Sequence, residues 1–284
     1  MRWKSGRRST NVEDRRGGGN APRRGPGMKV GGGAALFLLL LALLLGADPT
    51  KLLEMAGDGA AVAPPAQQSA GAPQDEAADF VSVILADTED TWNALFSAAQ
   101  ARYQVPTLVL FTDAVESACG YSTAATGPFY CPGDGKVYLD LGFLQELDRL
   151  GARGDFAVAY VIAHEIGHHV QNITGIESQV RDLQRRSSRT QGNALSVRME
   201  LQADCYAGVW AHHAQRQRRL LDEGDLEEGL NAAASIGDDR LQRMAGRRVQ
   251  PEAFTHGSSE QRAQWFRTGF QTGSISSCDT FQAR

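Results

Sequence analysis

The spacing of apolar residues divides the chain into three kinds of segment. Residues 30–47 form an uncharged run dominated by leucine, with Leu36-Phe37-Leu38-Leu39-Leu40-Leu41-Ala42-Leu43-Leu44-Leu45 at its centre. A helix built from it would have no polar stripe, and its length is at the short end of the about 17–25 residues that cross a bilayer. From about residue 75 the pattern changes. Phe80, Val83, Ile84, Trp92, Leu95, Phe96 and Ala99 recur at helical spacing up to Arg102 and predict a helix with those side chains in a core. Residues 106–111 and 136–140 are short runs rich in β-branched and aromatic residues, which predict strands. Phe156, Val158, Ala159, Tyr160, Val161, Ile162 and Ala163 predict a buried helix, opened by Asp155 and stopped at Gly175. Leu201, Ala203, Cys205, Ala207, Gly208, Val209 and Trp210 predict another with little room for a solvated face. Residues 222–248, charged and alanine-containing, predict a solvated helical outer layer. Ser258 or Ser259 before Glu260, Gln261 and Arg262 reads as the N-cap of a helix through Trp265 and Phe266. These elements predict a helix-rich α+β domain with a small β-sheet over 76–284, preceded by one transmembrane helix.

Charge sharpens this division. Residues 1–29 hold nine of the 29 Lys and Arg residues against Glu13 and Asp14, which leaves 20 basic and 31 acidic residues for the rest of the chain. A basic head rich in Gly and Pro and without apolar periodicity is expected to be disordered. Such an arm suits nucleic acid, but the apolar run that follows points to a membrane, so no nucleic-acid partner is expected. By the positive-inside rule the head would be cytoplasmic, 30–47 a single-pass anchor, and the domain periplasmic or extracellular. A cleaved signal peptide is the competing reading, weakened by the length of the basic region and by Leu45 standing where a small residue belongs. Residues 48–75, rich in Ala, Pro, Gly and Gln, suit a flexible linker. The cysteines Cys119, Cys131, Cys205 and Cys278 contain no Cys-x-x-Cys, and outside the cytoplasm an even number favours disulfides. Cys119–Cys131 is the natural local pair, leaving Cys205–Cys278.

The candidate chemistry sits in the two apolar helices. His164 and His168, four apart, lie on one helical face, and two imidazoles so placed can share a metal ion at about 2.0–2.1 Å. Glu165 points too far round the helix to be a ligand but can reach a water on the metal, as in the His-Glu-x-x-His pattern of zinc peptidases. Glu200 and Asp204 form a second i, i+4 pair. Glu200 completes a His2Glu set, and Asp204 can accept the free ring N–H of a histidine ligand. Cys205, about 140° round the helix from Glu200, is excluded as a ligand. His256, just before the last helix, is the candidate donor to a developing oxyanion; the alternative is a loop histidine that only caps or packs. The two expected strands have two readings: one of them lines the groove, since an edge strand beside a zinc helix can hold an extended peptide by main-chain pairing, or both belong to a plain structural sheet.

Glu-x-x-x-Asp following His-Glu-x-x-His resembles the gluzincin pattern. The chain as a whole is similar to the bacterial neutral zinc metallopeptidase family. The resemblance is carried by Met1-Arg2-Trp3, Asn11-Val12-Glu13-Asp14-Arg15-Arg16, Gly127-Pro128-Phe129-Tyr130-Cys131-Pro132, Val137-Tyr138-Leu139-Asp140, the two zinc segments and His256-Gly257-Ser258-Ser259-Glu260-Gln261-Arg262. It implies a zincin-like domain that binds Zn2+ through His164, His168 and Glu200, uses Glu165 as base, and cleaves protein or peptide substrates. The rival functions are a non-catalytic zincin-fold scaffold of a membrane complex, and a binder of nucleic acid or anionic lipid through the basic head.

Overall fold

The computed structural model describes residues 1–16, 75–123 and 126–282. The expected membrane span at 30–47, and all of the expected linker except Asp75, lie outside the described residues. Among the described residues no helix is long and apolar enough to cross a membrane.

Helix α1 (Glu76–Ala98) starts at Asp75, whose carboxylate accepts the Ala78 N–H at 2.8 Å, and it buries Phe80, Val83, Ile84 and Trp92 as their spacing predicts. The two expected strands form as β2 (Thr107–Phe111) and β6 (Lys136–Asp140), and they pair in parallel from Thr107↔Lys136 to Phe111↔Asp140. Neither is an edge. The sheet order is β1-β2-β6-β5, with β1 (Val12–Asp14) parallel on one side and β5 (Phe129–Cys131) antiparallel on the other. Strands β3 (Ala114–Ser117) and β4 (Gly120–Thr123) make a separate hairpin. Alternation along the strands turns Leu108, Leu110, Val137 and Leu139 into the main core, and Val109, Phe111 and Tyr138 to a smaller cluster on the other face.

After α2 (Phe143–Arg149) comes α3 (Asp155–Ile173), which begins one residue earlier than expected, with Gly154 rather than Asp155 at the cap and Asp155 in the first turn. It ends before Gly175, whose left-handed φ of 79° lets the chain turn into α4 (Ile176–Gln184). Helix α5 (Arg189–Arg218) is buried from Leu201 to Ala211 and packs against α1, α3, α4 and the last helix. Residues 222–248 give α6 (Asp225–Ser235) and α7 (Asp238–Met244), but α6 is no solvated layer. It packs on α3 and the last helix, α8 (Ser259–Thr272), and buries Ala232 and Ala233. Its contact face is made of small residues: a Cβ on Gly229 would lie 2.6 Å from the Phe156 ring. Such a face carries little hydrophobic signal in the sequence. Helix α8 opens at Ser258, which shares a reciprocal capping box with Gln261.

Close approach also fixes the central helix pairs. A Cβ on Gly208 would lie 2.1 Å from the Phe266 carbonyl oxygen, and one on Gly269 1.9 Å from that of Cys205, so α5 and α8 meet backbone to backbone. Both expected disulfides are present, Cys119–Cys131 and Cys205–Cys278, the second tying α5 to the C-terminal segment.

The expectation of a disordered basic head over 1–29 fails for its first sixteen residues. Trp3 is buried and meets Phe80 edge-on at 5.2 Å, Val12 is buried in the core, and β1 adds to the sheet at Val12↔Leu108. Gly6 lies against α1 so closely that a Cβ would come 2.5 Å from Val83. Charge does the rest. Arg2 pairs with Asp222, Lys4 with Glu76, Arg7 with Glu89 and Asp90, Arg8 with Asp79, Arg15 with Glu13, and Arg16 with Asp14 and Asp75. Two apolar anchors and ion pairs that mostly reach residues far along the chain, as from Arg8 to Asp79 and from Arg7 to Glu89, leave no local periodicity for a sequence reading to detect.

Candidate metal centre

Helices α3 and α5 cross where Gly167 meets Ala203, a Cβ there having only 3.0 Å to the Ala203 backbone. This crossing brings the i, i+4 pair of one helix against that of the other. His164 Nε2 lies 3.2 Å from Glu200 Oε2, and His168 Nε2 lies 3.4 Å from Glu200 Oε1. One donor atom from each of the three residues fits within 4.8 Å of the others. Donors about 2.0–2.1 Å from a tetrahedral centre stand about 3.3–3.4 Å apart, so the set suits one zinc ion.

The other ring nitrogens are already committed. His164 Nδ1 lies 2.8 Å from Asp204 Oδ1, and His168 Nδ1 lies 2.8 Å from Gln171 Oε1. Gln171 donates its own amide N–H groups to Met199 O and Gln202 Oε1, which fixes its oxygen towards His168. Both histidines are thus held as Nδ1–H donors with Nε2 free for a metal. His164, Glu165 and Asp204 are buried, while His168 and Glu200 keep partial exposure. Burial alone would lower the two imidazoles, but Asp204 raises His164 to about 10 and Glu200 raises His168. Burial likewise opposes ionisation of Glu200, yet His168 and His164 hold it well below the usual carboxylate range. The carboxylates that favour a proton on each ring favour a cation in its place. Neutral imidazoles beside Glu165, Glu200, Asp204 and one guanidinium leave two uncompensated negative charges, which a divalent ion balances.

Glu165 is 8% exposed and faces the same cavity. Burial pushes its pKa up, against the pull of His168, His164 and the Tyr130 backbone N–H of β5. A carboxylate so placed is a better proton acceptor than one free in water. Asp204, fully buried, receives His164, the Tyr160 hydroxyl and both arms of Arg262, at 2.9 and 3.0 Å.

Arg262 is the residue the sequence reading missed. It appears there only in a helix start and in a segment that carries the family resemblance, with no role of its own. In the structure it is 2% exposed, and its Nη2 also lies 3.4 Å from His164 Nδ1 and 3.8 Å from Glu200. A signal was present: Phe266, one turn on along α8, shares its face and is buried.

His256 lines the cavity with the metal-centre residues, its side chain half exposed at 51%. Asp238 lies 3.1 Å from its Nδ1 and also accepts its backbone N–H, and raises its pKa against the effect of burial. The other histidines have structural partners. His169 bonds Gln104 O and Tyr130 Oη, His212 bonds Phe270 O, and His213 bonds Gly273 O.

The cavity, about 670 Å3, runs from β5 (Phe129, Tyr130) across the metal centre to Val180 on α4 and Leu241 on α7. The groove-side strand is therefore β5, and the expectation that β2 or β6 would take this place is corrected. Its three residues, with Cys131 in the disulfide, were too few to give an alternating pattern.

A helix-rich α+β fold with His-Glu-x-x-His on α3 and Glu-x-x-x-Asp on α5 suits the zinc-peptidase class. The chain belongs to the family described as "Putative neutral zinc metallopeptidase", whose model matches residues 1–281. It is 50% identical over 291 residues to the uncharacterized protein YpfJ of Escherichia coli (strain K12), covering 99% of each chain. It is 42% identical over 216 residues to the uncharacterized proteins Mb2605 of Mycobacterium bovis and Rv2575 of Mycobacterium tuberculosis, covering 72% of each chain. No solved structure matches the chain.

Proposed function

We propose that the protein is a zinc-dependent endopeptidase whose Glu165 activates the water that attacks a peptide carbonyl. The observation that carries this reading is the convergence of His164 Nε2, His168 Nε2 and Glu200 beside a buried Glu165 in one open cavity. Zinc, when bound by those three residues, supplies Lewis acidity and lowers the pKa of a coordinated water to about 7.

The chain's own groups do the rest. Glu165, its affinity for a proton raised by burial, takes the proton of the attacking water and passes it to the leaving amine. His256, held by Asp238, donates to the oxyanion that develops on the scissile carbonyl. Asp204 keeps the His164 ring in place. The free edge of β5, opposite its pairing with β6, offers main-chain groups to an extended peptide. Two disulfides support placing the catalytic unit in an oxidising compartment outside the cytoplasm, and the leucine run at 30–47 supports attachment to a membrane.

The test is zinc content and cleavage of casein or a peptide library, with wild type and Glu165→Gln side by side. Both should hold one zinc, and the variant should lose about 10²-fold or more in cleavage rate. A Glu165→Gln protein as active as wild type would overturn the mechanism. A wild type that holds zinc but cleaves nothing would leave a zinc-binding scaffold.

A further inference from the structure

The described chain reaches Arg16 and resumes at Asp75, and these two residues touch. Arg16 Nη1 donates to Asp75 Oδ2 at 2.6 Å, while the same guanidinium is forked on Asp14 and Asp75 caps α1. On one side of this junction β1 continues the sheet, with Leu108 N–H donating to Asn11 O and Arg15 N–H to Leu110 O. On the other, Ser9 N–H donates to Ser82 O on α1, and Asn11 Nδ2 donates to the buried Glu89. Residues 1–16 are thus a strand and strap of the same folded unit as residues 75–282.

A segment that crosses a bilayer once would hold its two ends about 30 Å of hydrocarbon apart. Arg16 and Asp75 cannot be so separated while β1 stays in the sheet. Six of the nine basic residues that suggested a cytoplasmic head are also accounted for otherwise. All six basic residues among 1–16 pair with carboxylates of the folded unit. We infer that residues 1–16 and 75–282 occupy one compartment, and that the leucine run does not place them on opposite faces of a membrane. Any association of residues 30–47 with lipid leaves Arg16 and Asp75 on the same face. This replaces the expected topology, in which the head is cytoplasmic and the domain is outside.

Single cysteines test this in the full chain. Ser5 on the strap and Ser97 on α1 are both exposed, with Thr10 and Thr190 as a second exposed pair, and no cysteine of the chain is free. Ser5→Cys, Thr10→Cys, Ser97→Cys and Thr190→Cys are each expressed in bacterial cells. Spheroplasts are treated with a membrane-impermeant maleimide before or after lysis, and labelling is read above that of the parent chain. The strap and domain positions should behave alike. Labelling of all four before lysis supports the inference and an oxidising compartment for both segments. Labelling of all four only after lysis supports the inference and overturns that compartment, leaving the zinc chemistry to its own assay. Strap cysteines protected until lysis while domain cysteines label in intact spheroplasts, or the reverse, would overturn the inference.

Discussion

At the residue scale, the candidate metal centre depends on groups outside its proposed ligand set. Asp204 is bonded by His164, Tyr160 and Arg262 at once, and Arg262 is itself buried among them. Arg262 is a positioning residue: its planar fork satisfies both oxygens of Asp204, so that one of them stays aimed at the His164 ring. Arg262→Lys keeps the charge and loses the fork, and Asp204→Asn keeps the shape and loses the charge. Each should weaken zinc binding by about 10–100-fold, as measured by competition with a chromogenic chelator, with a circular dichroism spectrum like that of wild type. Unchanged affinity in both variants would show that the ring needs no such support. His164, Glu165, His168, Glu200 and Asp204 were legible because helical spacing converts sequence distance into a shared face. Arg262 was not, because it lies 58 residues from Asp204 and an arginine in a helix ordinarily reads as solvated. Asp238, the partner of His256, was hidden for the same reason.

At the element scale, helix–helix distance sets the site. Gly167 lets α3 approach α5, and Gly208 with Gly269 lets α5 approach α8, which delivers Arg262 to Asp204. Gly208→Ala would force a methyl group against the Phe266 carbonyl, so the helices must separate. Overpacking of this kind costs about 1–3 kcal/mol, or a fall in Tm of several degrees for a domain of this size at about 2–4 °C per kcal/mol. Scanning calorimetry measures it, and zinc affinity should fall as well because Arg262 rides on the displaced helix. Elements with strong periodicity were legible: α1, the helix of His164, the two central strands and the capping box of α8. The edge strands were not. Each has three residues, β1 is mostly charged, and both gain their stability from partners far along the chain.

At the scale of the whole molecule, the first sixteen residues close the fold through charge. Burial opposes the ionisation of Glu13, but Lys136 and Arg15 hold it below its ordinary value; Arg16 does the same for Asp14 and Arg8 for Asp79. With folded pKa values below the unfolded ones, these carboxylates contribute stability that is present above about pH 4 and lost as pH falls through the depressed values. Acidification towards pH 3 should therefore loosen residues 1–16 before the helical core, seen as faster amide hydrogen exchange in the strap than in α3 or α5. Simultaneous exchange of both would contradict this. The docking of this segment also orders events during synthesis. Val12 pairs with Leu108, and Arg2 N–H bonds Leu220 O, a separation of more than two hundred residues. At a synthesis rate of about 5–20 residues per second, Leu220 emerges about 10–40 s after Arg2. The first residues made are thus among the last able to complete their contacts, and β2 exposes an unpaired edge to its surroundings until β1 docks on it.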